Sequence, residues 1–141
     1  MIKDSIEYLI KIATTPPYSN NLLVARQEYQ KYVGDIFDDD KSYVNQMALF
    51  IEWYIFDRIE PACNQTILEL IINNEKGIPL DLLKNIKLFT FHINGLFMIK
   101  KIKDDFVKVI NLFNDERYDV IEPSGNLYFS KNSIFEGRLL T

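Results

Sequence analysis

The sequence predicts an α+β protein in which an N-terminal half of four or five helices packs on a small C-terminal antiparallel sheet or barrel. Up to about residue 87, apolar side chains recur at the three- and four-residue spacing of amphipathic helices. From residue 88 onward, runs of β-branched and aromatic residues are separated by turn residues at roughly ten-residue intervals. We therefore expect a single domain over residues 1–141, with a helical part at about 1–87 and a β part at about 88–141.

The helical part is organised around residues 50–58, which contain the only tryptophan, Trp53. Wound as an α-helix, this segment presents apolar side chains on every side, a pattern that is typical of a buried helix. We expect this central helix to span about 43–59. Pro61 should end it, because the residue before a proline avoids helical backbone torsions.

Four other helices are predicted from apolar stripes, and they span about 3–13, 22–37, 65–74 and 79–87. Their ends carry the expected signals, since a proline pair follows the first helix and Gly77 follows the fourth. Pro79 suits the first position of the fifth helix. Asp40 or Ser42 is a suitable N-cap for the central helix.

The β part contains five predicted strands, at about 95–102, 106–113, 117–122, 127–130 and 134–140. Residues 88–93 fit either a further strand or the tail of the fifth helix. Alternation places four residues on one face of the sheet: Val107, Val109, Tyr118 and Val120. The last strand reaches the end of the sequence, and as an edge strand it would need covering by another element or another chain.

Composition excludes several classes of protein. A hydrophobic content of 48% is that of a globular chain, and a net charge of -4 argues against a general nucleic-acid binder. One Cys and one His can form neither an intrachain disulfide nor a Cys/His zinc site. The N-terminus lacks a signal-peptide pattern and no apolar run has the length of a membrane span. We predict a cytoplasmic protein with no membrane association, no cofactor and no metal.

The central helix also carries a resemblance. Residues 50–58, FIEWYIFDR, are similar to an F-x-E-W-F-x-F-D-R/Y helix of uncharacterised bacterial proteins, some of which carry a SEC-C zinc motif. In those proteins a G-L-F-x-V strand, a D-L-x-T-G-x-x-Y-x-V hairpin and a G-x-x-L-x-x-R ending follow. The corresponding segments here are similar to them in turn, namely GLFMI at 95–99, NLFNDERYDV at 111–120 and FEGRLL at 135–140.

This resemblance covers about residues 45–140, and it implies a shared fold of helices followed by a small barrel. It implies no activity, because none is associated with the group. The second segment departs from the pattern at two positions, with Asn111 in place of Asp and Asp115 in place of Gly. The zinc motif is missing from this sequence, so metal binding is not implied.

Glu52, Asp57 and Arg58 form the leading candidate site, because charged residues in an apolar helix are costly unless they are paired or hydrogen-bonded. In a functional interpretation, one of the carboxylates acts as an acid or base in a pocket. In a structural interpretation, both carboxylates accept hydrogen bonds and Arg58 pairs with a carboxylate across the core. We favour the structural interpretation, and we assign no catalytic residue.

Trp53 and Arg138 complete the set of candidate binding residues, and Arg138 or Arg26 could act as a distant ionic partner for the central helix. A lysine cluster marks the first hairpin of the sheet, where Phe97 and Phe106 could stack on bases. Its members are Lys100, Lys101, Lys103 and Lys108. Because the turn between these strands is acidic and no RNA-binding signature is present, a solvated strand face is the favoured interpretation.

Two other groups are weaker candidates. The acidic residues 35 and 38–40 lack the spacing and the glycine of a calcium loop, so they are better interpreted as a solvated loop and helix cap. His92 and Cys63 could in principle form a catalytic pair, but Cys63 has no recognisable nucleophile context. His92 lies in an apolar run and is therefore better explained as a packed, hydrogen-bonded side chain.

We therefore expect a non-enzymatic cytoplasmic interaction module that binds a protein partner or associates with itself. The first alternative is a small-ligand-binding protein or hydrolase that uses Glu52 and Asp57 in a cleft between the helices and the barrel. The second alternative is a weak nucleic-acid binder that uses the Lys100–Lys108 hairpin, although the acidic composition does not favour a nucleic-acid partner.

Overall fold

The computed structural model describes residues 2–121 and 130–140, and the chain divides into two compact units, Met1–Thr90 and Phe91–Thr141. The first, the helical unit, contains five α-helices and a short hairpin. The second, the sheet unit, contains an antiparallel sheet of four strands. The predicted α+β class is confirmed. The sheet is open, however, so the alternative of a closed barrel is wrong.

The helical unit contains all five predicted helices, which are α1 (Ile2–Ala13), α2 (Leu22–Val33), α3 (Tyr43–Phe56), α4 (Ile67–Asn74) and α5 (Leu80–Leu88). α2 ends earlier than predicted, because Gly34 follows it with a φ of 90° that favours glycine. Residues 88–93 were predicted to be either a strand or the tail of the fifth helix. Leu88 is the last residue of α5, and His92 begins a strand, so each alternative holds for part of this segment.

The end of α3 also differs from the prediction. The backbone N–H groups of Asp57 and Arg58 both donate to the carbonyl of Trp53, and the helix ends at Phe56 before Pro61 is reached. The chain then enters a hairpin that the sequence did not predict, formed by β1 (Ile59–Glu60) and β2 (Gln65–Thr66). This early end removes Arg58 from the helix and places it beside the hairpin.

Helix capping follows the expected chemistry at α4 and departs from it at α3. The Thr66 hydroxyl accepts from the Glu69 N–H at 3.1 Å, and the Glu69 carboxylate accepts from the Thr66 N–H at 3.3 Å. This reciprocal pair is a capping box. Ser42 occupies the N-cap of α3 without a side-chain cap bond, and Asp40 instead accepts from the Ser42 N–H and hydroxyl. Both bonds hold the pKa of Asp40 below its usual range.

The prediction that the central helix is buried on all sides is wrong. α3 buries Phe50, Tyr54 and Ile55, whereas Val44 is 75% exposed and Leu49 is 52% exposed. The buried residues recur at the spacing of one helix face, and Met47, Ile51, Trp53 and Phe56 are partly buried against the same core, so α3 packs over a wide face but not on all sides. That side joins a core to which every helix contributes, and its buried apolar members are Leu9, Ala13, Ala25, Ile36, Phe50, Tyr54, Ile55, Ile67, Leu68, Ile71, Ile86 and Phe89.

No helix within residues 2–121 and 130–140 is long and apolar enough to span a membrane.

The sheet unit contains β3 (His92–Ile102), β4 (Val107–Asn111), β5 (Arg117–Val120) and β6 (Ile134–Leu140), all antiparallel and in the order β5-β4-β3-β6. β5 and β6 are therefore the two edges of the described sheet. The predicted strand at 127–130 lies outside the described residues except for Ser130, and so does the end of the strand predicted at 117–122.

One face of the sheet carries its hydrophobic core. The four alternating residues of the sequence analysis lie on this face, as predicted, together with buried Phe97 and Ile99. Phe97 contacts the rings of Phe135 and Tyr118, with centroids 5.4 Å and 6.3 Å away. Because these rings come from β6 and β5, one aromatic cluster connects both edge strands to the centre of the sheet.

Gly95 marks a close approach on the same face. A Cβ atom at this position would lie 2.9 Å from the amide nitrogen of Asn111 and 3.0 Å from the ring of Phe97. Asn111 is buried, and its side-chain oxygen accepts from the backbone N–H of Phe113 at 3.0 Å. Gly137, the partner of Gly95 on β6, has more room, since its nearest neighbour is the Phe135 ring at 3.3 Å.

Candidate functional site

Arg58 is the centre of a buried charge cluster in the helical unit. Its guanidinium donates twice to Glu28 of α2, from Nε at 2.8 Å and from Nη2 at 3.1 Å. It also donates from Nη1 to Glu60 of β1 at 2.6 Å. The predicted pairing of Arg58 with a carboxylate of another element is therefore confirmed, and two carboxylates share the single cation.

The rest of this charge cluster, defined as Arg58, Glu28, Glu60 and Asn21, is equally well satisfied. The second oxygen of Glu60 accepts from the Asn21 side-chain amide at 2.9 Å. The guanidinium also lies over the ring of Tyr54, 5.8 Å from its centroid. Arg58 and Glu60 are 6% and 4% exposed. Glu60 belongs to the short hairpin, which therefore holds a buried carboxylate against the buried guanidinium of Arg58.

The electrostatics of the cluster follow from these contacts. The hydrogen bond from Arg58 holds the pKa of Glu28 below its usual range, and the same bond raises the pKa of Arg58. Burial, assisted by the nearby Glu60 carboxylate, raises the pKa of Tyr54 to about 12, while Arg58 acts in the opposite direction. The Tyr54 hydroxyl donates to the backbone carbonyl of Tyr18. The pKa values of Glu28, Arg58 and Tyr54 are thus shifted by burial and by partners within the fold.

The remaining candidates of the central segment lie outside this cluster. Glu52 is half-buried within α3 and Asp57 is exposed just after it. Trp53 is half-buried and packs against the rings of Tyr29 and Phe50, with centroids 5.1 Å and 6.3 Å away. Glu52, Trp53 and Asp57 therefore differ in their environments, although they lie close together in the sequence.

The sequence analysis missed Glu60 and gave Glu28 no role in a site. A signal for Glu60 was available, because residues 58 and 60 fall on the same side of an extended chain. It was overlooked because the segment was assigned to the central helix. Arg26, considered as an ionic partner, instead donates to the carbonyl of Ile36 at 3.3 Å.

Arg138 lies in β6 of the sheet unit, half-buried and directly opposite Asn94 of β3. The same face of the sheet carries Glu136, which lines a shallow depression of about 330 Å³. The other residues that line it are Asn94, Gly95, Leu96 and Phe113. The depression is open, and its single charged side chain is exposed, so it does not form an enclosed ligand site.

The outer edge of β6 is the more informative feature of this unit. Ile99 of β3 accepts from the N–H of Asn132 at 2.8 Å and donates to the carbonyl of Ser133 at 2.9 Å. In an antiparallel pair, hydrogen-bonded and non-hydrogen-bonded positions alternate. Residues 135, 137 and 139 therefore direct their backbone groups toward β3, and residues 134, 136, 138 and 140 direct theirs away from it.

Within residues 2–121 and 130–140, no strand pairs with this outer edge. Ile134 is 56% exposed and Leu140 is 37% exposed on the same face as Glu136 and Arg138. The edge thus presents four residues whose backbone groups point outward, and the first and last of these residues carry exposed apolar side chains. A regular strand with unpaired N–H and C=O groups is a template for pairing with another chain.

The lysine hairpin lacks the base-stacking surface that was considered for it. Phe97 is fully buried in the sheet core, so its predicted stacking role is wrong. Lys108 lies over the ring of Phe106 at 5.6 Å and within 3.5 Å of Asp119. Lys101 lies opposite Lys108 on the neighbouring strand.

His92 and Cys63, the remaining candidate pair, belong to different units; Cys63 is an exposed thiol and His92 is the half-buried first residue of β3. In the part of the chain that the structure describes, no group of three or more His, Cys, Asp or Glu side chains is arranged to hold a metal ion.

Comparisons of the chain with protein-family models, with curated protein sequences and with solved structures give no match. The resemblance of the central helix to bacterial proteins therefore stays a prediction, and function is argued from the geometry of the two units.

Proposed function

We propose that the chain is a non-enzymatic, cytoplasmic interaction module that associates with itself through the outer edge of β6. The observation that carries this proposal is the seven-residue strand whose outward N–H and C=O groups pair with no described strand. Adding a strand to such an edge satisfies those groups and is a recurring mode of protein recognition. The similarity to the bacterial F-x-E-W helix proteins belongs to the same proposal and adds no activity to it.

Two further observations support this proposal over an enzyme. The most buried charges of the chain, Arg58 and Glu60, bond to each other and to other side chains of the fold. Asp57 is exposed just beyond the end of α3, whereas Glu52 is half-buried within that helix. The two carboxylates of the hydrolase or small-ligand alternative thus lie in different environments, which supports the interaction module over that alternative.

The nucleic-acid alternative is weakened by the same kind of observation. Its binding surface would need exposed aromatic rings interleaved with lysines. Of the two rings considered, Phe97 is buried, and Phe106 is half-buried with Lys108 over its ring.

Proline substitution at an outward position tests the proposed role of β6. Glu136→Pro removes one outward N–H and leaves the bonds to β3 in place, because residue 136 does not donate to β3. Sedimentation velocity over a wide concentration range should show concentration-dependent association of the natural chain and a monomeric Glu136→Pro variant. Circular dichroism should show that the variant remains folded.

Asp119→Pro on β5 is the matched control. Asn111 donates to the carbonyl of Glu116 at 2.8 Å, and the alternation that follows from this bond directs residue 119 away from β4. The control therefore removes an acidic side chain and an outward N–H at the opposite edge, and it should associate like the natural chain. A natural chain that is monomeric at every concentration overturns the proposal, and equal effects of the two prolines overturn the assignment to β6.

A further inference from the structure

β6 has a self-complementary order of side chains. Read from Ile134 to Leu140, two apolar residues precede an acid, a glycine follows, and then a base precedes two apolar residues. When such a strand meets a second copy of itself in the antiparallel direction, each chemical type meets its complement. The acid Glu136 then faces the base Arg138 of the second copy, and Arg138 faces Glu136 of the second copy.

The backbone of β6 permits this pairing. Hydrogen-bonded pairs across the new contact must join outward positions, which are 134, 136, 138 and 140. An antiparallel contact centred on Gly137 joins 136 to 138 and 134 to 140, so every pair matches two outward positions. This contact would add roughly eight backbone hydrogen bonds, since each such pair exchanges two.

The neighbouring registers bring like charges together. A contact centred on residue 136 places two Glu136 side chains opposite each other, and one centred on residue 138 does the same with two Arg138 side chains. Like charges directly opposite on neighbouring strands are destabilising, whereas opposite charges stabilise the pair. An antiparallel contact centred between two residues is excluded. It would place residues whose backbone groups point outward opposite residues whose backbone groups already bond to β3.

We propose that two copies of this chain pair antiparallel through β6 in the register centred on Gly137, with reciprocal Glu136–Arg138 ion pairs on one face of a continuous eight-stranded sheet. This inference rests on the proposed function and specifies its partner and geometry. Ile134 of one copy meets Leu140 of the other on the same face, which covers the two exposed apolar side chains at the ends of the strand. Arg138 already has a contact within its own chain, and a guanidinium with five N–H donors can add a further acceptor.

The size of the contact predicts its strength. Stable protein interfaces bury about 1,200–2,000 Å² in total, and two seven-residue edges supply less than that. We therefore expect a reversible dimer whose population depends on concentration. The ion pairs act mainly as a selector of register and partner, because exposed pairs contribute only about 0.2–1 kcal/mol each.

Charge reversal at the two positions tests the register. Glu136→Arg places arginine at both charged positions of the strand, and Arg138→Glu places glutamate at both. Each variant alone faces two like-charged pairs in the dimer, so its dissociation constant should rise by about tenfold or more. An equimolar mixture restores two opposite-charge pairs and should form a mixed dimer near the natural affinity, detected by native mass spectrometry. Asp119→Arg, the same charge change on β5, is the control and should leave dimerisation unchanged.

The outcomes separate the register from the proposed function. Preferred mixed dimers at low salt, weakened at high salt, support the register. If the natural chain dimerises but the mixture shows no preference for mixed dimers, this register is wrong and self-association stands. If the natural chain is monomeric, both proposals fail, and another occupant such as residues 122–129 or a different protein covers the edge.

Discussion

The two units of the chain treat charge and hydrogen-bonding groups in opposite ways. The helical unit takes one cation and a carboxylate out of water and satisfies them with Glu28 and Asn21. The sheet unit instead ends in an edge strand, β6, whose outward backbone groups pair with no described strand. The difference indicates that unusual charge is a poor guide to function where the fold supplies its partners.

Removal of the buried cation should produce the largest effect. Arg58→Ala leaves the buried Glu60 carboxylate without its charged partner, and we expect the free energy of unfolding to fall by about 3–5 kcal/mol. Urea denaturation followed by Trp53 fluorescence measures this loss, because the only tryptophan belongs to the helical unit.

Glu28→Gln is the matched control for Arg58. The Glu28 side chain is 40% exposed, so its ion pair is screened by water and its loss should cost less than about 1 kcal/mol. If the two variants are equally stable, Arg58 is not required to neutralise a buried charge. That result would weaken the contrast between the helical unit, whose buried charges have partners within the fold, and the outer edge of β6.

Gly95→Ala should have the next largest effect, and it tests the packing of the sheet unit. The new Cβ would lie 2.9 Å from Asn111, a buried side chain that is held by its bond to Phe113, and overpacking of this kind costs about 1–3 kcal/mol. Amide hydrogen exchange of β3 and β4 measures the change in this unit. Gly137→Ala, at the paired position with more room, should change exchange much less, and a larger effect there would contradict the packing described.

Of the three test substitutions, Tyr54→Phe should have the smallest effect at neutral pH, about 1 kcal/mol for the lost hydrogen bond to the Tyr18 carbonyl. Its pH dependence is the sharper test. The pKa of Tyr54 is raised from 10.0 to about 12 in the fold, so its contribution is fully present below pH 10 and is lost as pH rises toward 12.

Urea denaturation at several pH values between 9 and 12 measures this alkaline loss in the natural chain and in Tyr54→Phe. The variant should lose less stability over that range, and the remaining loss includes Tyr18, whose pKa burial also raises to about 12. Tyr32→Phe, at an 85% exposed ring, should change stability at pH 7 by less than about 0.5 kcal/mol. Parallel alkaline curves for the natural chain and Tyr54→Phe would show that Tyr54 is not held neutral by the helical unit.

The order of the elements could be predicted from the sequence because it depends on local patterns. Apolar spacing and breaking residues placed all five helices, and the strand at 134–140 has the predicted ends. The early end of α3 could not be predicted in this way. It depends on the pairing of Glu60 with Gln65 in a two-residue hairpin, and on the burial of Arg58 against α2. The hairpin strands are too short to give a recognisable sequence pattern. The contact of Arg58 with α2 joins residues that are distant in the sequence.

The candidate site was predicted only in part for a related reason. Arg58 stood out because charge is rare in an apolar segment. Its acceptor Glu60 could be found only once residues 58–60 were known to be extended, and its acceptor Glu28 only from the contact with α2. The outer edge of β6 was suggested by the position of the last strand. Which backbone groups point outward depends on the register with β3, and that register is set by side-chain packing across the sheet.

The short strand β5 limits how far such a sheet can grow. Pairing through β6 would leave two β5 strands at the ends of the joined sheet, and each has only four residues, Arg117–Val120. Both outward positions of this strand carry charged side chains, Arg117 and Asp119, which oppose the docking of another apolar strand. Assembly through β6 would therefore close at two copies by a twofold axis, and among the described strands only the short, charged β5 edge would remain for the continuous edge-to-edge stacking that produces fibrils.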